Sequence, residues 1–173
     1  MIYQFRSKAG PDVIMMADLT KRIFDILGRS LEPRGILTVE KLPALITALE
    51  TAILQDLEDR SKAKSETEAG VDKPKLADRL GQRAYPFLEL MKQAKALQAR
   101  LDATEMVHCA KFSFNPIHGK IYFLYYDERN QTNVLIQNGP KNWSCGIPDG
   151  WIYSMAVKKL GDSTWAVVEE DEL

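Results

Sequence analysis

A chain of 173 residues with 45% hydrophobic and 27% charged side chains has enough apolar material to fold without staples, as one domain or two small ones. Its net charge is −1, divided as 17 basic and 16 acidic residues over 1–110 and 6 and 8 over 111–173. That balance excludes a global field that would draw in nucleic acid or an anionic membrane.

Two cysteines, Cys109 and Cys145, could form at most one bridge. The opening MIYQFRSKAG has no apolar run of about 7–15 residues, and no stretch approaches transmembrane length. Both thiols are therefore read as reduced, in a cytoplasmic protein with no membrane partner. The ending EDEL resembles a retention signal of the endoplasmic reticulum, but without an entry signal it reads as a solvated acidic tail, 169–173.

In chain order, Met1 to Arg6 is rich in β-formers, Gly10-Pro11 marks a turn, and Val13 to Met16 returns as a second strand of a hairpin. Asp18 can cap a helix carrying Leu19, Ile23, Ile26 and Leu27, with Gly28 as its stop. Thr38 can cap a first turn, and Pro43 stands where a helix can restart. Leu42, Leu45, Ile46, Leu49, Ile53 and Leu57 then form one stripe on a helix to about Arg60. Residues 61–75, SKAKSETEAGVDKPK, are polar and mixed in charge, as a linker or mobile loop is. A connecting helix is expected over 76–106, interrupted at Pro86, so that Leu76 to Tyr85 forms a separate turn or a kinked first segment. Beyond it, Phe87, Leu90, Met91, Ala94, Leu97 and Leu101 share a face suited to the earlier stripe.

From Lys111 the period changes to two, and 107–168 reads as an antiparallel β module. Lys120 to Tyr126 is apolar on both faces, with Ile121, Phe123 and Tyr125 on one and Tyr122, Leu124 and Tyr126 on the other. Val134 to Ile136 pairs with it across a polar loop. Trp151, Tyr153, Met155 and Val157 alternate along a further strand, and Trp165 to Val168 closes the series. The fold class expected is α+β: an N-terminal β-hairpin plus three helices, then a small antiparallel aromatic-rich meander or half-barrel.

Two stretches resemble known families. The string FRSKAGPDVIM, with LPALITALE and RAYPFLELMKQA, is similar to a small bacterial family of uncharacterised proteins opening with F-[KR]-S-K-A-x-x-D-V-I-M; the likeness spans about Met1 to Lys95. His108, Ala110, Phe114, Gly119, Tyr122, Leu124 and Tyr125, followed by Pro140, Trp143, Pro148, Asp162 and Thr164-Trp165, resemble a second uncharacterised family, found in bacteria and eukaryotes. Relatives there often carry His where this chain has Phe123, and a glycine turn is missing from Asp127 to Asn133. Neither resemblance implies an activity, and together they suggest a fusion sharing the helix near 85–105.

Three constellations bear on function. His108, Cys109, His118 and Cys145 are the residue types of a structural zinc site, yet no C-x₂-C pair exists and adjacent His-Cys points to opposite faces of a strand. Cys145 in WSCGIPDG, with His118 as a base and Asp149 near in sequence, has the parts of a thiol hydrolase or transferase. Ten of the fifteen aromatic side chains lie in 111–173, and a sheet with helices on one face leaves some of them to line a groove. Tyr122, Tyr126, Trp143, Trp151 and Tyr153 are the candidates. Such grooves hold proline-rich or extended peptides, or stack bases. Only six basic residues accompany them, which favours a protein or peptide partner over single-stranded RNA. No phosphate-binding glycine motif is present, so no cofactor is expected. The stripe from Leu42 to Leu57 reads as core, with a second copy of the chain as the alternative partner. The expectation is a non-enzymatic cytosolic binding or assembly module, with weak RNA binding and cysteine chemistry as alternatives.

Overall fold

The computed structural model describes residues 1–66 and 80–169. The expectations for 67–79, which include most of the polar linker and the start of the next helix, and for the acidic tail from Glu170 onward lie outside the described residues. The chain divides into two compact units, Met1–Ala96 and Leu97–Leu173.

The first unit opens with β1 (Ile2–Ser7) and β2 (Gly10–Met16), antiparallel from Ile2↔Met16 to Ser7↔Gly10. Alternation sorts the two faces: Phe5, Val13 and Met15 turn inward, while Ile2, Ile14 and Met16 face solvent. Helix α1 (Ala17–Ile26) begins one residue before the expected cap, because Met16 in extended backbone is its N-cap. Asp18 therefore sits inside the first turn, where its charge suits the helix dipole and it pairs with Arg83 at 3.6 Å. Thr20, fully buried, donates its hydroxyl to the Met16 carbonyl at 2.8 Å. Gly28 ends the helix as expected, at φ +63, with Arg29 N–H returning to the Phe24 carbonyl at 2.9 Å.

A 3-10 turn, Val39–Lys41, leads from Thr38 into α2 (Leu42–Glu66), which runs six residues past its expected end near Arg60. Leu42, Leu45, Ile46 and Leu49 of α2 share one core with Ile23 of α1 and with Leu80, Ala84, Phe87, Leu88 and Met91 of α3 (Leu80–His108). The stripe is thus core through Leu49, Ile53 packs half-buried against it, and Leu57 is exposed. The expected break at Pro86 is corrected, since α3 passes through it without interruption. Proline inside a helix costs roughly 3 kcal/mol by removing one N–H and crowding the preceding turn. Burial of Ala84, Phe87 and Leu88 on both sides of it offsets that cost.

In the second unit, β3 (Ile121–Asp127), β4 (Thr132–Ile136), β5 (Trp151–Lys159) and β6 (Trp165–Val168) form one antiparallel sheet in the order β4-β3-β5-β6. The architecture is α+β, with hairpin, three helices and an aromatic-rich sheet. Ala103 and Val107 of α3 cover one sheet face, packing with Tyr122, Leu124, Leu135, Val157 and Trp165. Arg100 fastens the same helix to the β5–β6 turn: its guanidinium donates to Thr164 Oγ1 and pairs with Asp162, while Thr104 Oγ1 accepts from Trp165 N–H at 3.0 Å. Among the described residues, no helix is long and apolar enough to cross a membrane.

Leu49 is fully buried and Leu57 is 59% exposed on the same helix. Leu49→Ala is expected to cost about 2–5 kcal/mol and Leu57→Ala well under about 1 kcal/mol, measured by urea unfolding. Equal losses would contradict the packing described for α2.

Candidate functional site

The aromatic side chains of the second unit are sorted by one irregularity. Leu124 pairs with Met155, but the next residue, Tyr125, pairs with Tyr153, leaving Ser154 as an extra residue in β5. Met155 and Val157 therefore join the core face with Leu124 and Tyr122, whereas Tyr153 and Trp151 share the other face with Tyr125 and Asp127. The uniform alternation expected for 151–157 is corrected at this bulge.

On that second face, three half-buried rings surround a fully buried one. Tyr125 lies 5.6 Å from Tyr153, 5.9 Å from Trp151 and 6.2 Å from Trp143, centroid to centroid. Trp143 and Trp151 meet each other at 6.3 Å and 84°. Tyr125 meets Trp151 at a tilt of 45°, while the other three contacts are edge-to-face and set the positive edge of one ring against the negative face of another. Trp143 arrives on the loop after β4. Gly139 of that loop lies directly on Phe123, where an added Cβ would come within 2.8 Å of the ring. A 3-10 turn, Pro140–Asn142, then carries the chain to Trp143. Its indole N–H donates to Tyr125 Oη at 3.1 Å, and Tyr125 Oη donates to the Asn138 carbonyl at 3.1 Å. A buried phenol demands such partners, and here they hold the loop in place.

The five aromatic residues singled out in the sequence are divided between the two faces. Trp143, Trp151 and Tyr153 stand together. Tyr122 is buried on the opposite face, its hydroxyl accepting from Ile117 N–H at 2.7 Å, and Tyr126 follows it there beside exposed Ile152. The centre of the cluster, Tyr125, was absent from that set. The face of Ile121, Phe123 and Tyr125 meets Trp151 and Tyr153 only because β5 slips by one residue, which the sequence pattern does not record.

Asp127 closes the β3–β4 turn beneath Trp151. Its carboxylate accepts from Asn130 Nδ2 at 2.7 Å and from the N–H groups of Arg129 and Asn130. The Asn130 side-chain amide and these N–H groups hold the Asp127 carboxyl below the usual range, against the opposing effect of burial. With the turn clasped in this way, Gln131 takes the left-handed conformation, φ +48, where a glycine was expected.

His118 Nδ1 bonds the Leu160 carbonyl at 2.9 Å, Cys145 is a free exposed thiol, and Asp149 is exposed. No hydrogen bond or ion pair among the described residues joins the three. His108 ends α3 and Cys109 follows it in the next turn, both exposed. Among the described residues, no group of three or more His, Cys, Asp or Glu side chains converges as metal ligands would. The residues that carried the second resemblance hold the fold: Gly119 turns at φ +79, and Asp162 and Thr164 anchor Arg100.

Residues 1–101 match the model of a family described as "Domain of unknown function (DUF1840)". No curated protein and no solved structure matches the chain.

A depressed carboxyl pKa stabilises the fold above the unfolded value near about 3.9, and that contribution is lost as pH falls through the folded value. Asp127→Asn is expected to be less stable than the parent at neutral pH, with the gap closing below about pH 4. Unfolding midpoints across that range check it; parallel curves for the two proteins would contradict it.

Proposed function

Since the chain belongs to the DUF1840 family, whose description assigns no activity, we propose that it is a non-enzymatic cytosolic binding module that grips an extended, proline-rich peptide on the aromatic face of its second sheet. The observation that carries this reading is the group of half-buried rings, Trp143, Trp151 and Tyr153, held around Tyr125 on the sheet face opposite the core cluster. Two indoles meeting near a right angle form a corner with an aromatic plane on each side. A pyrrolidine ring fits such a corner, and a polyproline segment loses little entropy on docking because it is already extended. Tyr125 and its hydrogen-bonded loop hold the corner before a ligand arrives, which lowers the cost of binding. The part of the chain beyond the family match, about 105–168, belongs in this reading to a second uncharacterised family.

Base stacking would use the same rings. It ordinarily comes with a basic track for phosphates, and residues 111–173 carry 6 basic against 8 acidic side chains.

Calorimetric titration with a proline-rich peptide and with an oligouridine of matched length tests the reading. The peptide is expected to bind at both about 50 and 200 mM salt, and Trp143→Ala with Trp151→Ala to weaken it about tenfold or more. Unchanged peptide affinity in the double variant, or binding of the RNA alone with a steep fall in salt, would overturn it.

A further inference from the structure

The first unit contains a cleft of about 810 Å³, bounded by β1, the segment from Gly28 to Val39, and α3. Its volume lies within the usual range of small-molecule sites. Phe5, Phe24 and Phe87 line it and pack on one another, with ring centroids 4.6 Å apart for Phe5–Phe87 and 6.1 Å for Phe5–Phe24. Leu90 and Met91 extend the apolar wall.

The polar side of the cleft is unevenly charged. Three arginines, Arg6, Arg29 and Arg34, face one acid, Glu32. Arg6 already pairs with Asp12 at 3.2 Å and donates to Gln4 at 3.1 Å. Arg29 is different: its Nη1 is buried and has no hydrogen-bond acceptor among the described residues. A guanidinium N–H removed from water without an acceptor is costly, and native structures rarely leave one so. Arg29 is held there because its backbone N–H closes the end of α1.

We propose that this cleft binds a small aliphatic carboxylate, with its chain on the phenylalanine wall and its head group on Arg29. A planar carboxylate matches the guanidinium fork of Arg29, which lines the cleft and makes no ion pair with a described residue. A single negative charge is favoured over a phosphate dianion, because Arg6 is neutralised by Asp12 and Glu32 stands at the same rim. The aromatic wall takes the apolar tail that a bare inorganic anion lacks. The proposal concerns a different unit from the aromatic face and does not depend on it.

The test is calorimetric titration of the full chain with sodium dodecanoate below its micelle concentration, beside dodecanol and dodecyl phosphate. Saturable binding of dodecanoate, tighter than either comparison ligand, is expected. Arg29→Met should weaken it by about tenfold or more, consistent with loss of a charge-assisted hydrogen bond. Ile36→Glu places a like charge on an exposed cleft residue, 81% accessible, and should weaken binding without touching the core. Absence of saturable binding, dodecanoate affinity unchanged in both variants, or preference for dodecyl phosphate or dodecanol would overturn the proposal.

Discussion

Met155 sits opposite Leu124 and Tyr153 sits opposite Tyr125, so β3 has no counterpart for Ser154. In a regular strand, Trp151, Tyr153, Met155 and Val157 would all point the same way. All four would then press into the side covered by Ala103 and Val107 of α3. The extra residue reverses the alternation halfway along β5. Two large side chains go to the core and two to the other face. Everything distinctive about that second face follows: the company around Tyr125, the seat for Trp143, and the site for Asp127 beneath Trp151.

The two buried tyrosines of β3 show how polar groups shape the surrounding loops. Tyr122 takes the N–H of Ile117, fixing the segment that leads into the sheet. Tyr125 takes the Trp143 indole and gives to Asn138, fixing the segment that leaves β4. Each hydroxyl satisfies a demand created by its own burial. Adjacent Gly139 allows that second loop to lie flat against Phe123. In the first unit the same rule meets an exception, since the Arg29 guanidinium keeps one buried nitrogen unmatched.

Much of the fold was legible because period is a local property. The hairpin, the leucine stripe, the glycine stop at Gly28 and the strands of the second sheet were all readable from spacing. The cap of α1 lies two positions before the one expected at Asp18, because Met16, which has no capping side chain, serves as the N-cap. The continuation of α3 through Pro86 is not legible in the sequence, because the burial on either side of it is not a local quantity. The aromatic site was legible in composition and not in arrangement. Trp143, Trp151 and Tyr153 were named and come together, while a one-residue slip between strands, which no periodicity records, separates them from Tyr122 and Tyr126. The cleft of the first unit was not legible, because it assembles three arginines and three phenylalanines from separate elements.

The bulge at Ser154 is the point on which the reading of the second unit turns, and side-chain contacts in solution report on it directly. In nuclear Overhauser spectra of the full chain, the Tyr153 ring is expected to contact the Tyr125 ring, while the Met155 methyl contacts the Leu124 methyls. Contacts placing Tyr153 and Met155 on one face, both against Leu124, would show an unbroken strand and remove the aromatic face.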